Sequence, residues 1–413
     1  MSGSIKGAPF LTAPESQRVM TALMQNGGDA RFVGGAVRNC VMGIPVTDID
    51  IATPLLPEEV VRRLQAGGMA AHPTGIDHGT ITAVANHKTF EITTLRKDVT
   101  TDGRRATVAF TADWKDDASR RDFTMNALYA DIDGNVTDYF GGVDDARAGR
   151  VRFIGDAGTR LAEDHLRILR FFRFHAWYGK GELDEAGLAA CVRAKEKIDA
   201  LSGERIHKEI LRLLEADDPV KVMRVMAATG IIAHVLPGPL EFARGTRLVE
   251  IERDQLFTCD PLLRLGAFLG GGARQIDELA ARLKFSNAER GRLLDMQIAN
   301  PRIVPYLSMR EVRRALYRIG QQAFKDLCML RWAEDPRERN APQWRALIAM
   351  ADSWQKPVMP LTGHDAMNAG VPPGPEVGRV LAEVEEWWID SDFTDDPFSL
   401  IERLKAVVLA TVR

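Results

Sequence analysis

Two carboxylates, Asp48 and Asp50, stand two residues apart in a strand-like run, so both side chains project from one face. Side by side they repel each other unless a cation lies between them. Hard oxygen ligands of this kind suit Mg2+, which also binds substrate phosphates. Two such ions can activate an attacking hydroxyl and stabilise a leaving pyrophosphate. An isolated Asp-x-Asp more often ends a strand in solvent. Its weight changes because Phe32-Val33-Gly34-Gly35-Ala36-Val37-Arg38 lies about a dozen residues upstream. Gly34 and Gly35, between a strand and a helix, let the backbone approach an anion closely. The helix that follows offers free N–H groups and the positive end of its dipole. Arg38, about one turn into that helix, reaches the same phosphates.

A second block reads Arg120-Arg121-Asp122-Phe123-Thr124-Met125-Asn126-Ala127. On a helix, Asp122 and Asn126 share a face and Arg121 projects one step round. Such a set can hydrogen-bond a ribose and a triphosphate, with the arginine fork matching phosphate oxygens. A third block, Glu163-Asp164-His165-Leu166-Arg167-Ile168-Leu169-Arg170-Phe171-Phe172-Arg173, places Asp164, Arg167, Arg170 and Arg173 at three-residue spacing. On one helix they form a polar ridge beside the apolar face of Leu166, Leu169 and Phe172. A carboxylate next to a guanidinium presents acceptors and donors together, and can read a base edge without a nucleic-acid template. Taken singly, each of these blocks also reads as surface ion pairs at helical spacing.

The elements that must carry these groups change character along the chain. The first ~150 residues mix helix and strand signals: helices over Pro14–Gln25, Ala36–Met42 and Pro57–Ala66, and strands over Asp29–Val33 and Asp48–Ala52. Gly79–Ala85 and Thr89–Leu95 read as paired strands about a turn at Asn86. Arg96–Ala106 is polar with little periodicity and predicts a mobile loop. Asp117–Tyr129 predicts a helix, followed by short strands to Phe140. From Asp156 onward apolar residues recur at helical spacing, as in Leu161–Tyr178, Glu185–Lys195, Glu204–Leu214 and Val220–Ala228. The expectation is an α/β head followed by an all-helical remainder.

Composition sets bounds without choosing a function. A chain of 413 residues exceeds one ordinary core. Its formal charge of −3 does not announce a nucleic-acid partner, so any RNA must meet a local basic patch. No apolar run reaches the ~20 residues of a membrane span, and Met1–Pro14 does not read as a signal peptide. Cys40, Cys191, Cys259 and Cys328 form no C-x-x-C pair and read as free thiols of a cytoplasmic protein.

In combination the blocks resemble the bacterial class of tRNA nucleotidyltransferases and the related bacterial poly(A) polymerases, within the polymerase-beta-like superfamily. Gly34 to Arg38 with Asp48-Ile49-Asp50 is similar to the family's first motif, and Arg120 to Ala127 to its ribose-selecting motif. Gly141-Gly142 with Asp144 and Gly149-Arg150-Val151-Arg152 resembles its hinge-like stretch. Glu163-Asp164-x-x-Arg167 resembles the protein template that pairs with CTP or ATP, and Ser202-Gly203-Glu204-Arg205-Ile206 the helix bracing it. The resemblance implies a polymerase-beta-like head over residues 1–150, a helical neck with the templating helix over 151–215, and a tRNA-binding helical body and tail over 216–413.

The roles implied go residue by residue. Asp48 and Asp50 are catalytic and hold Mg2+; Gly34, Gly35 and Arg38 meet the triphosphate. Arg121, Asp122 and Asn126 contact phosphate and ribose. Asp164 and Arg167 hydrogen-bond the base, with Arg170 and Arg173 supporting nucleotide or RNA phosphates. The 3′-hydroxyl of a tRNA acceptor arm then attacks the α-phosphorus of CTP or ATP and releases pyrophosphate. Asn39 departs from the pattern, which has Asp there, and Glu91 is a candidate third carboxylate. Gly75-Ile76-Asp77-His78-Gly79 resembles the tRNA-directed branch more than the poly(A) branch. The segment with Arg96, Asp98, Asp102, Arg104 and Arg105 argues against a CC-only enzyme. An enzyme adding only A, a poly(A) polymerase and a catalytically silent RNA-binding protein remain alternatives. His364-Asp365 lacks the partners of a phosphohydrolase site, and oligomeric state leaves no mark in the sequence.

Overall fold

The computed structural model describes residues 3–75, 79–102, 105–298, 300–394 and 396–411. Ile76, Asp77, His78 and Arg104, on which part of the choice between branches rests, lie outside the described residues, as do the side chains of Asp98, Asp102 and Arg105. The chain packs as two compact units, Met1–Pro237 with Arg282–Lys284, and Gly238–Ala281 with Phe285–Arg413.

The first unit holds a seven-stranded sheet. Its strands are β1 (Arg31–Val33), β2 (Asp50–Thr53), β3 (Ala70–Gly75), β4 (Thr80–Ala85), β5 (Lys88–Thr94), β8 (Leu128–Ala130) and β9 (Val136–Asp138), in the order β3-β4-β5-β2-β1-β8-β9. β2 and β5 run parallel and every other pair is antiparallel. β4 alternates half-buried and buried residues along its length, the pattern of a strand with one face on the core. It turns into β5 through Asn86 and His87, both at positive φ, as a two-residue hairpin of matching twist requires. Helices α1 (Pro9–Thr12), α2 (Pro14–Met24), α3 (Gly35–Met42) and α4 (Pro57–Ala66) enclose a core of Met20, Leu23, Phe32, Val37, Ile51, Leu64, Phe90 and Ile92. A smaller cluster joins Val33, Ala52, Leu95 and Tyr129 to Trp114 and Ala118 of α5 (Trp114–Ser119).

Two expectations about this region are corrected. Residues 96–106 are not a loop: β6 (Arg96–Asp102) pairs antiparallel with β7 (Arg105–Phe110) as a separate ribbon. Val99, Thr100, Thr101, Thr107 and Val108 are β-branched and favour extended backbone whatever their polarity. A ribbon pairing with itself needs no apolar alternation to announce it. Nor is Asp117–Tyr129 one helix. α5 stops at Ser119, Phe123 is extended and bridges to Phe153, and only Thr124–Asn126 makes a 3-10 turn before β8. The Asp122 carboxylate accepts from the Phe123 N–H at 2.8 Å, a local bond that competes with the helical ladder.

After β9 the described residues form no further strand. The first unit continues with α6 (Gly142–Ala148), α7 (Ala157–Glu163), α8 (Arg167–Tyr178), α9 (Glu185–Arg193), α10 (Gly203–Leu214) and α11 (Val220–Ala228). The helix expected over Leu161–Tyr178 is thus two helices. Asp164 has extended backbone, and its carboxylate accepts from the Leu166 N–H at 3.1 Å, so α8 begins only at Arg167. The second unit is helical. Two of its helices, Asn287–Asp295 and Met309–Ile319, open on capping boxes, Ser286 with Glu289 and Ser308 with Glu311. Trp344 and Trp388 are buried, while Trp387 is only half-buried. His364 is exposed in the first turn of Gly363–Asn368.

Candidate active site

The strand β1 ends at Val33 and the chain turns into α3 at Gly34, whose φ of 65° and ψ of −119° make the turn with a backbone that side chains resist. The Gly34 N–H is spent on the Leu128 carbonyl, while no side chain caps the helix. One turn on, Arg38 is buried. It donates to Asn126 Oδ1 at 2.6 Å and to the Tyr178 hydroxyl at 2.8 Å, with its guanidinium 4.0 Å from the Tyr178 ring centre. Asn39 Oδ1 accepts two more bonds from Arg38, as a carboxylate would, and its amide donates to the Pro45 carbonyl, as a carboxylate cannot. Asn39, the departure from the family pattern, thus ties Arg38 to the loop at Pro45.

β2 begins at Asp50, with Asp48 exposed two residues earlier and Ile49 buried between them. In the parallel register Glu91 of β5 lies opposite Asp50. Burial first, then the charges of Glu91 and Asp48, push the Asp50 carboxyl up to about 6, against the pull of Arg121 and Arg38. Carboxylates crowded in this way are relieved by a cation. Among the described residues no three acidic, histidine or cysteine side chains form a ready-made cage. The oxygen donors here are an incomplete set, of the kind a Mg2+ ion completes with substrate phosphates and water.

Below the glycines, Asp117 organises two arginines. Its side chain, 1% exposed, accepts from Arg120 at 2.6 Å, from Arg121 at 3.0 Å and from the Tyr129 hydroxyl at 2.7 Å. Burial alone would raise its pKa, but Arg121 and Arg120 hold it down to about 2. Asp122 accepts from Asn126 Nδ2 at 2.9 Å and from Arg170 Nε at 2.8 Å, so the two blocks come together across 48 residues of sequence. Asp164 accepts from Arg205 of α10 at 2.7 Å. Arg167 donates to Glu163 at 2.5 Å and to the Arg120 carbonyl at 2.9 Å.

These groups enclose one cavity of about 400 Å³. Gly34, Gly35, Arg38, Asp50, Arg121, Asp122, Asn126, Asp164, Arg167 and Arg170 all line it. Asp48 and Arg173 do not: Asp48 is exposed beside Thr47, and Arg173 donates to the buried Glu209 at 2.6 Å. Arg120, Leu166, Phe174 and Arg205 line it as well, outside the set that sequence reasoning selected. Phe174, which the sequence reading missed, follows Arg170 by one helical turn, and its ring lies under the guanidiniums of Arg38, Arg170 and Arg173. Arg205 comes from a distant helix, and only its place in the bracing motif signalled it. Arg38, Arg120, Arg121, Arg167, Arg170 and Arg205 outnumber Asp50, Asp122 and Asp164, so the lining favours a polyanion.

A glycine turn into a helix, a carboxylate cluster beside it and an arginine-lined cavity define the class as a nucleotidyltransferase. Residues 30–152 match the family described as the poly A polymerase head domain, and residues 182–242 the probable RNA and SrmB-binding site of polymerase A. The mitochondrial CCA tRNA nucleotidyltransferase 1 of Mus musculus is 31% identical, covering 96% of this chain and 92% of the mouse protein. The CCA-adding enzyme of Streptococcus gordonii is 30% identical over 92% of this chain and 94% of its own. Among solved structures, the Bacillus stearothermophilus CCA-adding enzyme in complex with CTP superposes with a TM-score of 0.78 at 25% identity, covering 97% of this chain and 98% of that one. The chain belongs to the family of CCA-adding tRNA nucleotidyltransferases.

Proposed function

We propose that this chain adds C, C and A to the 3′ end of tRNA from CTP and ATP, without a nucleic-acid template. The observation that carries the reading is one cavity lined by Gly34, Gly35 and Asp50 together with Asp164 and Arg167. A triphosphate lies against the glycine turn and the arginines, and the base faces Asp164 and Arg167. Their carboxylate and guanidinium are steadied by Arg205 and Glu163, so protein groups take the place of a template strand. The 3′-hydroxyl oxygen bonds to the α-phosphorus, the bond to the bridging oxygen breaks, and pyrophosphate leaves. Positioning and charge neutralisation supply most of the rate.

Asp48 and Asp50 are the residues to hold Mg2+, with Glu91 adjacent to Asp50. Bound there, the metal supplies electrophilic stabilisation of the phosphate oxygens. Residues 1–150 serve as the catalytic head, 151–215 as the neck carrying the templating pair, and 216–413 as the tRNA-binding body and tail. The β6–β7 ribbon supports full CCA addition over a CC-only activity. A cytoplasmic location fits the four free cysteines. Among the described residues no helix is long and apolar enough to cross a membrane.

The test is an incubation series with Mg2+ and labelled nucleotides on tRNA lacking CCA, tRNA ending in CC, and an unstructured RNA. Addition of C, C and A to the first, stopping there, is the expected result. Adenosine on the CC-ended tRNA alone marks an A-adding enzyme. Open-ended adenosine on any RNA marks a poly(A) polymerase, and no incorporation marks a silent scaffold.

A further inference from the structure

α10 carries Arg205, Lys208 and Arg212 at three- and four-residue spacing, so they follow one face of the helix over about 10 Å. Arg205, at one end, lines the nucleotide cavity and donates to Asp164. Lys208 and Arg212, further along, are exposed, and neither has a side-chain partner among the described residues. Among the described residues no acid of this helix forms an ion pair with either. Glu209 is buried against Arg173, and Glu204 and Glu215 flank the row on one side. At the far end stands Trp177, the single tryptophan of α8, which is 43% exposed. Its indole N–H donates to the Arg212 backbone carbonyl at 2.6 Å, which pins the ring to the last turn of α10, the turn that carries Arg212.

Burial explains neither the exposed indole nor the unpaired cations. Cations in a row with a fixed aromatic face are what single-stranded RNA meets: phosphates follow the charges and a base stacks on the ring. We propose that Lys208, Arg212 and Trp177 form the track along which the single-stranded 3′ end of the RNA reaches the cavity. The proposal rests on the nucleotidyl-transfer reading and adds to it the side chains that hold the acceptor strand.

The experiment measures binding of fluorescent tRNA lacking CCA across 50 to 200 mM KCl, and separately the KM for CTP, in the full-length protein. Lys208→Ser with Arg212→Ser is expected to reduce the slope of log affinity against log salt by about 1.4 to 1.8, the loss of two phosphate contacts. Trp177→Ala is expected to weaken binding about 5- to 100-fold at fixed salt, as one lost base stack does, and Trp177→Tyr to restore most of it. The KM for CTP stays put. Salt slopes parallel to wild type in the double variant overturn the track. That variant alters only exposed side chains, so the test survives should Trp177→Ala fail to fold. A wild type that incorporates no nucleotide, with the slope still lost in the double variant, overturns the CCA reading and keeps the track.

Discussion

Asp117 touches no expected substrate atom, yet Arg120 and Arg121 both depend on it for their direction. Its carboxyl lies below the ordinary carboxylate value, held at about 2, so the folded state binds its proton more weakly than the unfolded chain does. The sign follows: its contribution is fully present above the unfolded value near 4 and is lost as pH falls through about 2. That contribution is about 2 kcal/mol. Asp117→Asn should lower stability by about that amount at pH 7 and flatten the acid limb of a denaturation series; an unchanged acid limb counts against the assignment. Asp50→Asn should slow transfer about a thousandfold, the equivalent of about 4 kcal/mol of phosphate stabilisation. Its circular dichroism should match wild type, and near-normal turnover would remove Asp50 from the metal site. Arg167→Ala should reduce the preference for CTP and ATP over GTP and UTP by about 10- to 100-fold, the worth of one bidentate base contact. Selectivity that survives this change rules out the templating role.

At the scale of elements, the site is a meeting of chain turns. Gly34 turns β1 into α3, Asp164 breaks α7 from α8, and Asp122 interrupts what would be one helix after α5. Each break frees backbone or side-chain groups that a continuous helix would consume. α6 is seated the same way. A Cβ on Gly142, its first residue, would lie 2.1 Å from the Thr124 carbonyl oxygen, a backbone atom beside Asn126. Gly142→Ala must therefore displace the Thr124–Asn126 turn and should cost about 3 kcal/mol. Thermal melts read the loss directly, and a midpoint within a degree of wild type would show that the turn yields freely.

For the whole molecule, every residue lining the nucleotide cavity belongs to the first compact unit. Nucleotide binding stabilises what it touches, by about 2.7 kcal/mol at a hundred times Kd. Hydrogen exchange with CTP and Mg2+ should accordingly slow amides around Gly34, Asn126 and Asp164 and leave residues 285–411 unchanged. Protection in that second region by CTP alone would relocate the site. The net charge of −3 places recognition of RNA on local rows of arginine and lysine, since the protein as a whole does not attract a polyanion.

Residue type and spacing by themselves determined the glycine turn, the helices at Pro57–Ala66 and Val220–Ala228 and the β4–β5 hairpin, because each is encoded within a dozen residues, whereas of the Asp48–Asp50 pair only Asp50 lies in the strand and lines the cavity. The same spacing failed for residues 96–106, 117–129 and 161–178. Strand partners and side-chain bonds there override the local pattern, and periodicity carries no trace of them. Only the tertiary structure decided that Arg170 meets Asp122, that Arg205 meets Asp164, and that Arg173 turns away to Glu209. Those pairs join residues 36 to 48 positions apart. Charges that far apart in sequence choose partners by packing, and packing is set by the whole fold.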